Sequence, residues 1–480
     1  MSKEFLLNIV FLIAINFLVK PFYLFFIDAE VQLQVGQVEY GIFFTLFNFA
    51  FLFQVINDPG LQNYTSSKMS ADDDFVRTEL PSILGARLLL SLAFLAVVFL
   101  AAGMIGYPAR YYPILLLVAI NQILSTFFLF CRAAISASKR YRMDSMISAL
   151  DKVLMIIILG YILYVDPVDE VSIYHLIYSQ TAAFVIAIVV SMVLLGGIIG
   201  PLRLRIDLGR LPSLLRQTAP YALVLVLMTL YTRLDTVMLE RLLDDGDYQA
   251  GVYASCYRYM EALSMIGYLF AALLLPMYAR MLADKESLQS LVDTALGVLL
   301  TIILPICIVL IFYREEAILW RYPDADQSYF ITLALMMVSV AAIATAYIYG
   351  TMHAASGDLR DVNIVFGVGV LVNVLFNIVL IPRYAVVGAA VATVATQMLV
   401  LLGQAILSYR SFALTLKVGY VARLVVYALA VALLSATTYY YFHWHWVIEV
   451  IVVILSAGLL SLLIKIIDSD MVLSLLKGAK

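Results

Sequence analysis

Apolar runs long enough to cross a bilayer recur along this 480-residue chain, and they limit its fold more than any other feature. A helix needs about 20 apolar residues to cross the ~30 Å hydrocarbon core, where only helices and closed barrels satisfy their own backbone polar groups. Runs of that length select helices. Fourteen spans are expected, near 5–28, 39–64, 79–105, 112–137, 146–165, 171–199, 213–241, 248–276, 289–312, 328–352, 361–381, 386–410, 418–440 and 446–467. The expected class is all-α, a polytopic membrane protein. With 64% of residues hydrophobic and 13% charged, and no loop between the runs long enough to fold alone, no soluble catalytic domain is expected. Met1 to Glu4 lead into the first run without a small-residue cleavage site, so that run reads as a retained helix.

An even number of spans puts both termini on one side of the membrane. Nineteen of the thirty lysines and arginines fall in loops on the N-terminal side, five fall opposite and six lie inside spans, which predicts cytoplasmic termini. The stretch from Gly200 to Arg216 holds Arg203, Arg205, Arg210 and Arg216 with Pro201 and Pro212. It reads as a cytoplasmic linker, about 200–212, between six-helix halves at 1–199 and 213–410, with residues 411–480 adding two helices and a tail. Tyr40-Gly41-Ile42-Phe43 and Ala250-Gly251-Val252-Tyr253 occupy matching places in the two halves. A parallel repeat of this kind places substrate at the interface of its halves and moves by rocking them.

The stretch from Pro220 to Pro276 carries Arg233, Asp235, Arg258 and Glu261 inside apolar sequence. Each such charge costs about 2.5–3.5 kcal/mol near the bilayer centre, so it normally faces a polar cavity or a partner. Tyr221, Tyr231, Tyr253, Tyr257 and Tyr259 lie around them and offer ring faces and hydroxyls. Arg258 and Glu261 are three residues apart on one helix face and are expected to neutralise each other. In the first half Lys20 precedes Pro21, Arg87 lies deep in its span, and Asp58 sits in a break at Asn57-Asp58-Pro59-Gly60. Each has a plainer reading: Lys20 snorkelling outward or pairing with Asp28, the break as an early helix end, and the four charges as packing pairs. Arginine suits phosphate because its planar fork donates two parallel hydrogen bonds. These residues predict a cavity for an amphipathic, partly anionic solute.

Catalysis finds no home in the chain. It has no Gly-x-x-x-x-Gly-Lys-Ser/Thr loop, no His-Glu-x-x-His and no Cys-x-x-Cys, and Cys131, Cys256 and Cys307 all fall inside apolar runs.

Several segments in order resemble the polysaccharide transporter family of the multidrug/oligosaccharidyl-lipid/polysaccharide (MOP) exporter superfamily, the O-antigen-type flippases. They are Gly36 with Tyr40-Gly41, Asp58-Pro59-Gly60-Leu61, Arg233-Leu234-Asp235, Ala250-Gly251-Val252-Tyr253, Asn373 with Asn377, Ile381-Pro382-Arg383-Tyr384, and Gly388-Ala389-Ala390 with Ala392-Thr393. One departure is Tyr384-Ala385-Val386, where the family often has glycine after tyrosine. The resemblance implies a MATE-like fold of two lobes in a bacterial inner membrane, exporting an undecaprenyl-pyrophosphate-linked oligosaccharide by alternating access coupled to H+ or Na+. On that reading Arg233, Arg258, Arg87, Lys20, Tyr231, Tyr253 and Tyr257 contact substrate, and Glu261, Asp235 and Asp58 bind the coupling ion or gate. The implied partners are the lipid-linked oligosaccharide, membrane lipids and polysaccharide polymerase or assembly proteins; no cofactor, metal or nucleic acid is expected. The rivals are a cation-coupled multidrug exporter of the same superfamily, a membrane-embedded polymerase or ligase, and a glycan-assembly scaffold.

Overall fold

The structure, a computed structural model, describes residues 15–71, 75, 79–138, 140–167, 170–199, 205–207, 209, 211–442 and 444–466. The start of the expected span 5–28, the linker residues Pro201, Arg203 and Arg210, and the tail beyond 466 lie outside these. Every regular element among the described residues is a helix.

Proline and glycine set the geometry of the first helices. In α1 (Ile15–Val35) the turns at Tyr23–Asp28, just after Pro21, are wound as a π-helix. Proline removes a backbone donor and crowds the preceding turn, and a widened turn accommodates that defect. Gly36 then bends the chain by 120° into α2 (Gln37–Leu52). Its φ of 84° is one that a side chain would oppose. One further turn, Gln54–Asn57, reaches the expected break at Asp58, after which α3 (Leu61–Ala71) begins.

The chain continues as α4 (Leu80–Ile105), α5 (Tyr112–Ala137), α6 (Tyr141–Val165), α7 (Ile173–Ile199), α8 (Leu211–Leu242) and α9 (Gly246–Ala283). Then come α10 (Gln289–Phe312), the short α11 (Arg314–Leu319), α12 (Gln327–Ser356), α13 (Arg360–Ser411), α14 (Val418–Tyr441) and α15 (Trp446–Leu463). Eleven of these are long and apolar enough to cross a membrane, and the bent pair α1–α2 would make twelve if it is one span.

The 52 residues of α13 correspond to about 78 Å of helix, more than twice a hydrocarbon core. The helix is broken at Ala385, with φ 48° and ψ −131°, three residues after Pro382. This is the position where the sequence departs from the family's glycine. An alanine held there is strained by about 1–3 kcal/mol. Ala385→Gly should therefore raise the denaturation temperature of the purified protein, and an unchanged or lower midpoint would show that the turn stores no strain.

By internal contacts the chain divides into two compact units, Met1–Gly251 and Val252–Lys480, with the boundary inside α9. In the first unit α5 packs on α7 and α2 on α8. Leu61, Leu80, Ile83, Phe130, Leu195 and Leu214 form a core there that joins α3, α4, α5, α7 and α8. In the second unit α12 packs on α13 and α10, while α14 and α15 close on α10 through Val309, Tyr313, Tyr427, Val431 and Val453. Glu449, in the first turn of α15, is only 4% exposed. Its two oxygens accept from Tyr313 Oη at 2.7 Å and from the Trp444 N–H at 2.9 Å, so this buried carboxylate ties the start of α15 to the residue that ends α10.

Candidate functional site

In the first unit α8 presents Tyr231, Arg233 and Asp235, of which Tyr231 and Asp235 are buried. Arg233 is half-buried, and its Nη1 donates to Asn48 Oδ1 at 3.2 Å. The same guanidinium lies 4.8 Å from the centroid of the Phe51 ring. Asn48 and Phe51 are three apart on α2 and so share a face, and Asn48 is aimed by its own Nδ2 donating to Phe44 O at 2.8 Å. An amide acceptor and an aromatic face thus orient one planar cation with five N–H donors. That shape is suited to a phosphate oxygen pair.

Arg87 and Asp58 form a second group in this unit. The Arg87 side chain is 4% exposed, and its Nη1 lies 2.9 Å from Asp58 Oδ2. The Phe130 ring centroid is 4.7 Å from the guanidinium. Asp58 Oδ1 accepts from the backbone N–H groups of Gly60 at 3.0 Å and Gln62 at 3.3 Å, which starts α3. Next to them Asn57 donates to Thr126 Oγ1 at 2.7 Å and accepts from Ser91 Oγ at 2.9 Å. The break in the second expected span is therefore clamped to α4 and α5. Lys20 is half-buried in α1. The Asp28 carboxylate accepts from Tyr40 Oη at 2.7 Å and from Tyr23 Oη at 3.4 Å.

In the second unit α9 carries Tyr253, Tyr257 and Arg258, all buried. Tyr253 stacks on Tyr257 with centroids 5.9 Å apart, and its hydroxyl lies 3.2 Å from Thr393 Oγ1. Arg258 donates to Tyr322 Oη, and Tyr259 donates to Ala317 O at 2.6 Å, so residues 317–322 fold onto α9. Glu261 is exposed whereas Arg258 is 3% exposed, and the expected Arg258–Glu261 pair is absent among the described contacts. The physical reason is the chain after α10, which returns to the helix and brings a phenol to the arginine. Outside the spans, burial lifts the Glu316 carboxyl above its ordinary value, and the neighbouring Glu315 charge adds to this.

Tyr322, Glu449 and the carboxylates at the α8–α9 turn were not singled out by sequence. Glu449 had a legible signal, a lone acid within the run 446–467. Tyr322 had none, because its importance comes from a contact between residues 64 apart.

The half-buried Arg233 and the buried Arg87 and Arg258 are thus held by an amide, a carboxylate and a phenol within long apolar helices. A family model described as "Polysaccharide biosynthesis protein" matches residues 35–325, more than half of the chain. The chain belongs to this family. The chain is similar to the lipid II flippase MurJ in an inward closed conformation, with a TM-score of 0.73, 14% identity, and coverage of 95% of this chain and 98% of that one. It is also similar to an inward-facing multidrug resistance MATE family transporter of the MOP superfamily, at TM-score 0.60 and 13% identity over 83% and 98% of the two chains. A MOP superfamily transporter from Pyrococcus furiosus follows the same fold at TM-score 0.58 and 11% identity, covering 85% and 94%. At such identities the likeness is one of fold, an all-α polytopic architecture of the MOP type. Two of these structures carry in their descriptions the superfamily that the sequence motifs resemble. No curated protein matches the chain in sequence.

Proposed function

We propose that this family member is a flippase that moves an undecaprenyl-pyrophosphate-linked oligosaccharide from the cytoplasmic to the periplasmic leaflet of a bacterial inner membrane by alternating access. The observation that carries the reading is the coincidence of a polysaccharide-biosynthesis family match over residues 35–325 with a fold like that of a lipid II flippase over 95% of the chain. On this reading α1 and α2 are two crossings and α13 is two joined at Ala385, which makes fourteen spans, taken as two lobes of six and a final pair, α14 and α15. The lysine and arginine distribution then puts both termini in the cytoplasm and the α4–α5 and α8–α9 turns outside.

A lipid-linked sugar presents a diphosphate to cations and ring faces to aromatic side chains. Arg233, on its Asn48 and Phe51 support, is the best-prepared diphosphate contact, with Arg258, Arg87 and Lys20 as further cations and Tyr231, Tyr253 and Tyr257 as sugar platforms. Asp235, Asp58 and Glu261 are the candidates for holding a coupling H+ or Na+ or for gating. Because Arg87 and Asp58 are paired with each other, these roles require that pair to open.

The test is leaflet-resolved labelling of the lipid-linked oligosaccharide in cells lacking the protein. Cytoplasmic-side accumulation should be relieved by the wild type. Arg233→Ala should export about tenfold or more slowly, as expected for losing a charge-assisted contact of about 1.5–3 kcal/mol. Normal periplasmic arrival of unpolymerised units without the protein would favour a polymerase or ligase. Drug resistance on overexpression with normal glycan export would favour the multidrug reading.

A further inference from the structure

Two arginines of the first unit are held in opposite ways. Arg87 meets the Asp58 carboxylate at 2.9 Å, so its charge is matched where it lies. Arg233 Nη1 donates instead to an amide oxygen, Asn48 Oδ1, at 3.2 Å, a contact that orients the guanidinium and adds no countercharge. Asn48 is 2% exposed, so water does not compete for that oxygen.

The contact needs one short side chain that both donates and accepts. Asn48 Nδ2 donates to Phe44 O at 2.8 Å, four residues back on α2, and that bond turns the Oδ1 end toward α8. Leucine does neither. Aspartate lacks the donor for Phe44 O and brings a negative charge to the guanidinium. The second support is also uncharged. Phe51, three residues after Asn48, places its ring centroid 4.8 Å from the guanidinium, and Phe47 and Phe43 follow it back along α2 with successive centroids 6.1 and 6.2 Å apart. A ring face attracts the cation without cancelling its net charge.

We infer that Asn48 is a positioning residue that sets the charge selectivity of the candidate site: it aims Arg233 through a neutral oxygen, so that the guanidinium keeps its attraction for a polyprenyl diphosphate. The inference rests on the flippase reading above, in which Arg233 meets the diphosphate. It adds that amide or carboxylate at residue 48 decides between an anion-binding arginine and a closed ion pair of the Arg87–Asp58 kind. Such a site prefers a diphosphate headgroup to a neutral one on the same lipid, and Asn48 contributes to that preference only through Arg233.

The test is binding of farnesyl diphosphate and of farnesol, a charged and a neutral isoprenoid probe, to the full-length protein in detergent, with the unliganded thermal midpoint as the check of folding. The wild type should bind the diphosphate about tenfold or more tightly than the alcohol. Asn48→Asp should remove that preference and leave farnesol binding unchanged. Asn48→Leu, which removes the aim without adding a charge, should weaken diphosphate binding by about threefold or more when Arg233 is present and have no effect in an Arg233→Ala background. A packing role alone would weaken both probes, with or without the arginine. A wild type without the preference, an Asn48→Asp protein that keeps it, or an Asn48→Leu loss that persists without Arg233 overturns the assignment. The Asn48→Leu comparison decides the matter even if Asn48→Asp fails to fold. Neither probe carries a sugar and nothing is transported, so a protein that exports its oligosaccharide but shows no diphosphate preference loses this assignment alone. A preference governed by Asn48 in a protein that exports nothing keeps the anion site and removes the flippase reading.

Discussion

Replacing Arg87 by alanine is expected to destabilise the first unit by about 3–5 kcal/mol, the cost of stranding a buried charge. Arg87 and Asp58 are 4% and 10% exposed, so water cannot replace the lost partner. Truncation also empties the space over the Phe130 ring, where the guanidinium lies 4.7 Å from the centroid. The Asp58 carboxylate would keep only its backbone donors from Gly60 and Gln62. Removing both charges at once, with Arg87→Met and Asp58→Asn, should recover most of the loss, since a well-packed neutral pair is often as stable as a buried ion pair. Thermal unfolding of the three proteins in detergent gives the comparison. A loss below about 1 kcal/mol for Arg87→Ala would mean that the pair behaves as a solvated surface bridge.

The second large effect is expected at Gly41. A Cβ there would stand 1.8 Å from Asp247 O and 2.8 Å from Gly251 N, and a Cβ on Gly251 would stand 2.1 Å from Gln37 O. These neighbours are backbone atoms, so no rotamer change can relieve the overlap. Gln32 spans the same seam, with its Nε2 donating to Gly251 O at 2.8 Å. Gly41→Ala should therefore cost about 1–3 kcal/mol or more through overpacking, and should impair export although the protein still inserts. Gly196, with open space around it, is the control: Gly196→Ala should be neutral or slightly stabilising. Equal thermal midpoints for Gly41→Ala and Gly196→Ala would show that the close approach is dispensable.

The seam shows how far residue patterns carry. Gly41 and Gly251 occupy matching places in the two halves of the sequence, and both lie where helices approach to backbone contact. The reason for the glycines became visible only with Asp247 O and Gln37 O in place. Ala385 was likewise marked from sequence as a departure from glycine, and the structure gives the position a φ of 48°. Helix breaks were legible because proline, glycine and asparagine-aspartate clusters act on their own backbone. The partner of Arg258 was not legible. Spacing within α9 pointed to Glu261, whereas Arg258 donates to the Tyr322 phenol, 64 residues away.

The sequence by itself determined that this protein is a set of membrane-spanning helices, about where they begin and break, and which few charges they carry. Those properties follow from hydrophobicity summed over about 20 residues and from local φ and ψ preferences, neither of which needs a distant partner. Only the tertiary structure decided which charge meets which group. Arg87 with Asp58, Arg233 with Asn48, Glu449 with Tyr313 and Asp247 with Tyr111 are contacts 29 to 185 residues apart. Each depends on the rotation and depth of two helices at once, which no periodicity along a single helix records.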